Sequence, residues 1–433
     1  MPQSLTVILG KSVRAIARMR GGGSALPGLF VERISPSFVP NTLAQLPKGV
    51  VIISGTNGKT TTTKMVVSIL ESQGLRVFTN RTGSNFIRGV AAALLAEVDT
   101  RGNLPADIAV LELDEAHAVK FVEFVKPRYS LLLNVMRDQL DRFGEIDTTA
   151  RMLEKIALAT TGTVVMNRED NRVSAIALKL PESTQKRFFG LHADLRHFFP
   201  NDDDLHTQQG AAKKAGSQHA HSTNRSEKND VTLTEFAGNR ARFTLRGKTA
   251  TTPLQIRGIY NIFNGAAALA LVNAILPEAP ADKLITALSH VTPAFGRGEQ
   301  VVIGGQPLEL FLVKNPSGFR LSLQSFDPKG VATMVAINDD YADGRDMSWL
   351  WDVDFTSLAD DAVTVTGVRA YDMAVRLQYD EVPVKLVEPK LDKALRDFID
   401  QHPSQPKRIY CTYTAMLALR KELSKITEVE VIA

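Results

Sequence analysis

The stretch Gly49-Val50-Val51-Ile52-Ile53-Ser54-Gly55-Thr56-Asn57-Gly58-Lys59-Thr60-Thr61-Thr62-Thr63 decides the fold. Its first part is a short β-branched apolar run, the pattern of a strand covered on both faces. Glycines interrupt the run, and a helical pattern stopped by Gly74 occupies Lys64–Gln73. Strand, glycine-rich turn, Lys-Thr and helix in that order form a phosphate-binding loop. Gly55 and Gly58 let the backbone of Thr56, Asn57 and Thr61 curl round a polyphosphate, with N–H groups and the helix N-terminus facing the anion. Lys59 would reach the β- and γ-phosphates and Thr60 would hold Mg²⁺. The full Walker spacing is not met, because neither Ser54 nor Gly55 stands in register for its first glycine. ATP and Mg²⁺ are the expected cofactors.

Outward from this loop, residues 49–180 alternate apolar runs with helical patterns. Leu75–Thr79, Ile108–Leu113, Tyr129–Asn134 and Gly162–Met166 read as further strands. Such alternation implies a parallel sheet with helices on both faces. Residues 195–230 are polar, hold His197, His206, His219 and His221, and read as a flexible insertion. No cysteine or carboxylate spacing there defines a metal site. Regular structure resumes at Val231, with Tyr260–Ala274 an alanine-rich helix and Ala281–Leu288 another. Pro293–Gly305, dense in glycine, reads as a linker. A second α/β unit follows, with strands at Glu309–Val313, Ala332–Ile337, Ala362–Thr366 and Arg408–Tyr410.

Bulk properties narrow the class. A chain of 433 residues is too long for one core. The formal net charge of +4 is too small to argue for nucleic acid. The single cysteine, Cys411, excludes disulfides and thiolate zinc, suits a reducing cytosol, and reads as a small buried residue. No stretch reaches the roughly 20 apolar residues of a membrane span. Near the N-terminus the apolar run Leu5–Leu9 precedes Lys11, Arg14, Arg18 and Arg20, the reverse of an export signal. Lys11, Arg14 and Arg18 share one helical face, which reads first as solvated and second as a face for an anionic membrane or a pyrophosphate.

The loop Gly55-Thr-Asn-Gly-Lys-Thr-Thr61 resembles that of the Mur ligase superfamily, which includes the folylpolyglutamate synthases. Companion segments occur in the expected order. Glu112 closes a strand where the superfamily places a Mg²⁺-binding glutamate. Asn134–Asp147 is similar to its Asn…Asp-His-Leu-Asp segment, with Gln139 in place of His. Tyr260-Asn261-Ile-Phe-Asn264 and Phe295-Gly-Arg297-Gly-Glu299 match its adenine- and ribose-side motifs. The resemblance implies a central P-loop ATPase domain over 49–298, containing the 195–230 insertion, and a smaller Rossmann-like α/β domain over 299–433. Residues 1–48 form an N-terminal segment, shorter than the roughly 100 residues of a typical domain. The implied chemistry is ATP-driven phosphorylation of a carboxylate followed by displacement with an amine, charge on the transferred group being stabilised by Lys59, Thr60 and Mg²⁺.

Within the superfamily the chain looks most like the MurT family. Arg137–Asp147 and the acidic run Asn338-Asp-Asp-Tyr-Ala-Asp343-Gly-Arg-Asp346-Met-Ser-Trp349-Leu-Trp351-Asp352 carry that resemblance, together with the missing nucleotide-sugar domain. It implies amidation by ammonia of the α-carboxylate of D-glutamate in the lipid II stem peptide, giving D-isoglutamine, at the inner face of the cytoplasmic membrane. It implies a GatD-type glutamine amidotransferase partner, whose Cys-His site an aspartate of this chain completes: Asp343, with Asp346 in reserve. Many relatives carry a four-cysteine zinc ribbon. Here the cysteine-free 195–230 region replaces it, and zinc is not expected. Alternatives are a ligase that adds an amino acid to a carboxylate, and a non-catalytic ATP-binding scaffold.

Overall fold

The computed structural model describes residues 3–19, 25–80, 86–136, 146–199, 230–256, 258–292 and 297–429. Three helices come first: α1 (Gln3–Met19), α2 (Ala25–Ile34) and α3 (Phe38–Leu43). The central unit then runs β1 (Val50–Ser54), α4 (Lys59–Ser72), β2 (Val77–Thr79), α5 (Ile87–Glu97), β3 (Ile108–Glu112), α6 (Glu115–Phe124), β4 (Tyr129–Leu132), α7 (Ile146–Leu158), β5 (Thr163–Asn167), α8 (Asn171–Ala175), β6 (Gln185–Leu191), β7 (Val231–Ala237), β8 (Arg240–Leu245), β9 (Lys248–Pro253), α9 (Ile259–Ile275) and α10 (Ala281–Ala287). A second unit follows: β10 (Arg297–Ile303), β11 (Gln306–Leu312), α11 (Pro316–Ser325), β12 (Ala332–Ala336), β13 (Val363–Thr366), α12 (Ala370–Tyr379), β14 (Val384–Glu388), α13 (Leu391–Gln401), β15 (Lys407–Cys411) and α14 (Tyr413–Leu423).

The first sheet has the order β2-β3-β1-β4-β5-β6-β7-β8-β9. It is parallel from β2 to β7, and β7, β8 and β9 form an antiparallel meander at one edge. β1 stands between β3 and β4 and every residue of it is buried, which its unbroken apolar run requires. The order reverses at β1, so the carboxyl end of β1 is a topological switch point, where doubly wound sheets open a crevice for ligands.

Both faces of this sheet are packed. One apolar core joins Val51, Ile53, Met65 and Ile69 to the α9 residues Ala266–Val272. The other joins Val50, Ile52, Phe78, Leu94 and Leu111 to Val7 and Val31 of the first two helices. Helices α1, α2 and α3 therefore form a layer against α5, a role unseen in the sequence.

The second sheet has the order β10-β11-β15-β12-β13-β14, parallel except for the β10–β11 hairpin. This corrects the linker expected over Pro293–Gly305. Val301, Val302 and Ile303 pair with Leu308, Pro307 and Gln306, and Gly304 and Gly305, at φ 57° and 78°, make the turn. The glycines that suggested a linker are a hairpin turn, and Arg297 and Gly298 belong to the second sheet. The helix expected from Lys64 begins at Lys59, directly out of the loop. Most of the Arg137–Asp147 motif, and most of the 195–230 insertion with His206, His219 and His221, lies outside the described residues.

Candidate active site

The loop after β1 turns on two glycines with positive φ, 135° at Gly55 and 90° at Gly58. A Cβ on Gly55 would stand 2.9 Å from the Asn134 backbone nitrogen, and one on Gly58 would stand 2.7 Å from Asn264 Oδ1. Backbone conformation and close packing both demand glycine at these positions. Asn134, just past β4, clamps the loop from beneath. Its Oδ1 accepts from the Asn57 amide at 2.9 Å, and its Nδ2 donates to the Asn57 carbonyl at 3.0 Å. Thr56 Oγ1 donates to the Met136 carbonyl at 3.2 Å and accepts from its amide at 3.1 Å. The loop is thus shaped before any anion meets it.

Lys59 opens α4 and is buried. Its Nζ donates to the Gly55 carbonyl at 2.5 Å and pairs with Glu115 Oε1 at 3.3 Å. Glu115, the first residue of α6, is buried as well. Two charges this far from water require each other, since either one alone would be left desolvated and uncompensated. Thr60 Oγ1 donates to Glu112 Oε1 at 2.8 Å. Asn80, just past β2, holds Glu112 in place: its Nδ2 donates to the Glu112 carbonyl at 2.8 Å and its Oδ1 accepts the Glu112 amide at 3.0 Å. The carboxyl ends of β1, β2, β3 and β4 therefore converge on one anion-binding loop and one hydroxyl–carboxylate pair. Thr61 is buried behind the loop, its hydroxyl without a hydrogen bond.

A cleft runs from this loop to the second unit. Asn57, Gly58, Gly258, Tyr260, Asn261 and Asn264 line one wall. Phe311, Lys314, Gly318 and Phe326 stand on the other. Asn315 spans the two, its Nδ2 donating to Asn57 Oδ1 at 3.2 Å while its Oδ1 caps α11 by accepting the Gly318 amide at 2.7 Å. Burial raises the Tyr260 phenol well above its ordinary value, so it stays neutral. Arg297 opens β10, its backbone paired with Phe311 of the cleft wall.

Beneath the loop, Asp170 is buried and accepts from the Val135, Arg172 and Val173 amides at 2.7, 3.0 and 3.0 Å. Burial raises its carboxyl to about 6.

The acidic segment sits elsewhere, at the carboxyl end of β12. Asp343 is buried, its carboxylate accepting from the Thr414 amide at 2.8 Å, the Thr414 hydroxyl at 2.5 Å and the Asp340 amide at 3.1 Å. Asp346 is exposed, and a hydrogen bond from Ser348 lowers its carboxyl below the usual range. Neither aspartate lines the cleft. Trp349 is buried, whereas Trp351 is half exposed against Tyr379. Cys411 is fully buried and burial raises its thiol, so it is no nucleophile.

The structure thus brings together Gly55, Thr56, Asn57, Gly58, Lys59, Thr60 and Glu112, with Asn261 and Asn264 beside them. It separates Asp343 and Asp346 from that group. Sequence reading missed Glu115, Asn80 and Asn315. Each lies far along the chain from its partner, and a strand-end position was the only signal.

Comparison with known proteins bears on the site. Residues 53–272 match the family model of the Mur ligase middle domain, and residues 312–416 match that of the MurT ligase C-terminal domain. The chain is 31% identical to the MurT subunit of lipid II isoglutaminyl synthase (glutamine-hydrolyzing) from Streptococcus pneumoniae, across 97% of both chains. It is 28% identical to the Staphylococcus aureus MurT subunit, over 92% of this chain and 93% of that one. Among solved structures, MurF from Acinetobacter baumannii superposes with a TM-score of 0.68 at 19% identity, covering 93% of this chain and 79% of that one. Folylpolyglutamate synthase from Mycobacterium tuberculosis, complexed with ADP and AMPPCP, superposes with a TM-score of 0.60 at 16% identity, covering 93% and 99%. These structural likenesses show the Mur ligase fold.

Proposed function

The chain belongs to the MurT family of Mur ligases, and from that premise we propose that it is the ATP-using half of a two-subunit enzyme that amidates the α-carboxylate of D-glutamate in the lipid II stem peptide to D-isoglutamine. It is an ATP-dependent carbon–nitrogen ligase of peptidoglycan biosynthesis. The nitrogen would come as ammonia from a GatD-type glutaminase subunit, and the work would be done at the cytoplasmic face of the membrane.

The observation that carries the reading is the pre-shaped loop, with Lys59 and the Thr60–Glu112 pair at its rim. A hydroxyl and a carboxylate oxygen suit Mg²⁺, which takes a few hard oxygen ligands and keeps water or phosphate for the rest. Bound there, Mg²⁺ and ATP would supply an activated phosphoryl group. The amides of the α4 N-terminus, from Gly58 to Thr61, would hold the phosphates, while Thr56 and Asn57, whose amides donate to Asn134, shape the loop that presents them. Lys59 would balance charge that builds on the transferred group as the substrate carboxylate attacks, and ammonia would then displace phosphate from the acyl phosphate. Asn261, Asn264 and Arg297 would orient the nucleoside end, with Tyr260 as an apolar wall.

Asp343 is the proposed contribution to the partner's glutaminase site, Asp346 the second candidate. The two can be told apart by glutaminase activity in the complex of Asp343→Asn and of Asp346→Asn. Supplying ATP, a lipid-linked stem peptide and ammonium to the purified chain tests the main reading. It predicts ADP release coupled to conversion of a carboxyl to a carboxamide. Consumption of an amino acid instead of ammonium would favour the amino-acid-adding alternative. Amidation that survives Lys59→Ala would leave the chain a scaffold.

A further inference from the structure

Helix α1 is amphipathic the wrong way round for an element that only packs on its own protein. Its inner face is spent on the core. Val7 and Ala17 are buried, and Gly10 is so close that a Cβ there would stand 2.8 Å from both Leu95 and Val31. The outer face is apolar too. Leu5 (44%), Ile8 (52%), Leu9 (37%), Ile16 (52%) and Met19 (87%) are exposed, and with Ser12 and Ala15 they fill one sector of the helix. At 3.6 residues per turn that sector is about 120° wide. Ser12 adds little polarity, because its hydroxyl donates back to the Ile8 carbonyl at 3.0 Å. Single exposed leucines are ordinary, but an unbroken stripe of them marks a docking face.

Charge identifies the occupant. Residues 1–31 carry Lys11, Arg14, Arg18 and Arg20 and no Asp or Glu, so this short region matches the whole chain's formal net charge of +4. Lys11, at the edge of the stripe, donates to the Val98 carbonyl at 2.6 Å. An apolar face edged by Lys11, in a segment with four basic residues and no acid, is the pattern of a helix lying in the headgroup region of an anionic bilayer. A protein partner would be matched by acidic–basic interleaving along the helix, and α1 has no acid.

The placement agrees. Gln3 Nε2 bonds the Gly102 carbonyl, beyond the amino ends of the strands, whereas Gly28 of α2 packs against the Arg88 carbonyl in the first turn of α5, on the phosphate side. Helix α1 therefore runs toward the end of the molecule where the loop lies.

We infer that α1 is a membrane-surface helix that seats the chain on anionic lipid. Its purpose rests on the lipid-linked substrate proposed above, but the binding itself does not. The test is co-sedimentation of the full chain with substrate-free vesicles of phosphatidylcholine, with and without phosphatidylglycerol, at low and high salt. Binding should require the anionic lipid and weaken with salt. The double variant Ile8→Ser/Ile16→Ser should lower the partition coefficient about tenfold, with thermal unfolding and ATP binding unchanged. Three results would overturn the inference: no sedimentation with anionic vesicles, binding indifferent to the double substitution, or a wild-type dimer that the substitution splits, which would show a second copy as the occupant. Because the vesicles hold no substrate, failure here leaves the amidation reading standing, and failure of that reading leaves this one measurable.

Discussion

The two sheets each end in a polar crevice at a switch of strand order, and the two crevices are built on opposite plans. At the carboxyl end of β1 the side chains grip the loop from outside. Asn134 takes the Thr56 and Asn57 amides, Asn264 packs on Gly58 and Asn80 holds Glu112, so the helix N-terminus is presented to a ligand. At the carboxyl end of β12 the polar groups bond one another. Asn338 accepts the Val368 amide and donates to Thr414, and Asp343 takes two bonds from Thr414. The first crevice is shaped for an anion and carries a buried lysine. The second is acidic, stitched shut, and useful only if something else brings the chemistry to it. Nitrogen supply by a separate subunit fits that asymmetry.

The largest expected effect breaks the first plan at its charge. Lys59→Ala should lower ATP-dependent turnover by about a thousandfold and leave the folded state intact, read by steady-state ADP release beside circular dichroism. Because Glu115 would then be buried without its partner, the double variant Lys59→Ala/Glu115→Gln should be more stable than the single one.

Gly58→Ala comes next. Its Cβ would meet Asn264 Oδ1 at 2.7 Å in a backbone of φ 90°, so nucleotide affinity should collapse, with a stability cost of about 1–3 kcal/mol. Calorimetric titration with ADP checks the first and denaturant unfolding the second.

In the second crevice, Asp343→Ala removes an acceptor of three bonds and strands the Thr414 amide and hydroxyl. A loss of about 2–4 kcal/mol is expected, with ATP binding at the first crevice unchanged. If that variant instead abolished ATP binding while folded, the independence of the two crevices would be refuted.

The legible part of this architecture was the first crevice. Ser54–Thr63 is contiguous, and a ligand that touches backbone leaves its mark as glycines in a row. Glu115 was invisible because its meaning depends on β1 and β3 being neighbours, which places it against Lys59 from 56 positions away. β10 was misread because Gly304 and Gly305 serve a hairpin as readily as a linker, and only the pairing of Val301 with Leu308 decides between them. The meander strands β8 and β9 were also missed. Thr249, Thr251 and Arg242 make them half polar, as a meander with one wet face requires. The acidic run Asn338–Asp352 stands out in the sequence, but the burial of Asp343 follows from its bonds to Thr414 in the first turn of α14, not from the run itself.

The smallest effect concerns the support under the first crevice. Asp170 titrates at about 6 in the folded protein against 3.8 in the reference state, so between those values the native state holds a proton that the unfolded chain has released. Stability from this group is full below pH 3.8 and falls as pH rises toward 6, by about 3 kcal/mol at most. Asp170→Asn should flatten that slope in urea unfolding curves taken across the interval. An unchanged slope would assign the pH dependence elsewhere.

If this chain activates a carboxylate and receives its nitrogen from another subunit, ammonium will serve the isolated chain and glutamine will not. The most direct measurement is amidation of the lipid-linked stem peptide by the purified chain with ATP, comparing ammonium with glutamine. Product is expected with ammonium, none with glutamine alone, and product with glutamine once a glutaminase subunit is added. Amidation from glutamine by this chain alone would contradict this expectation.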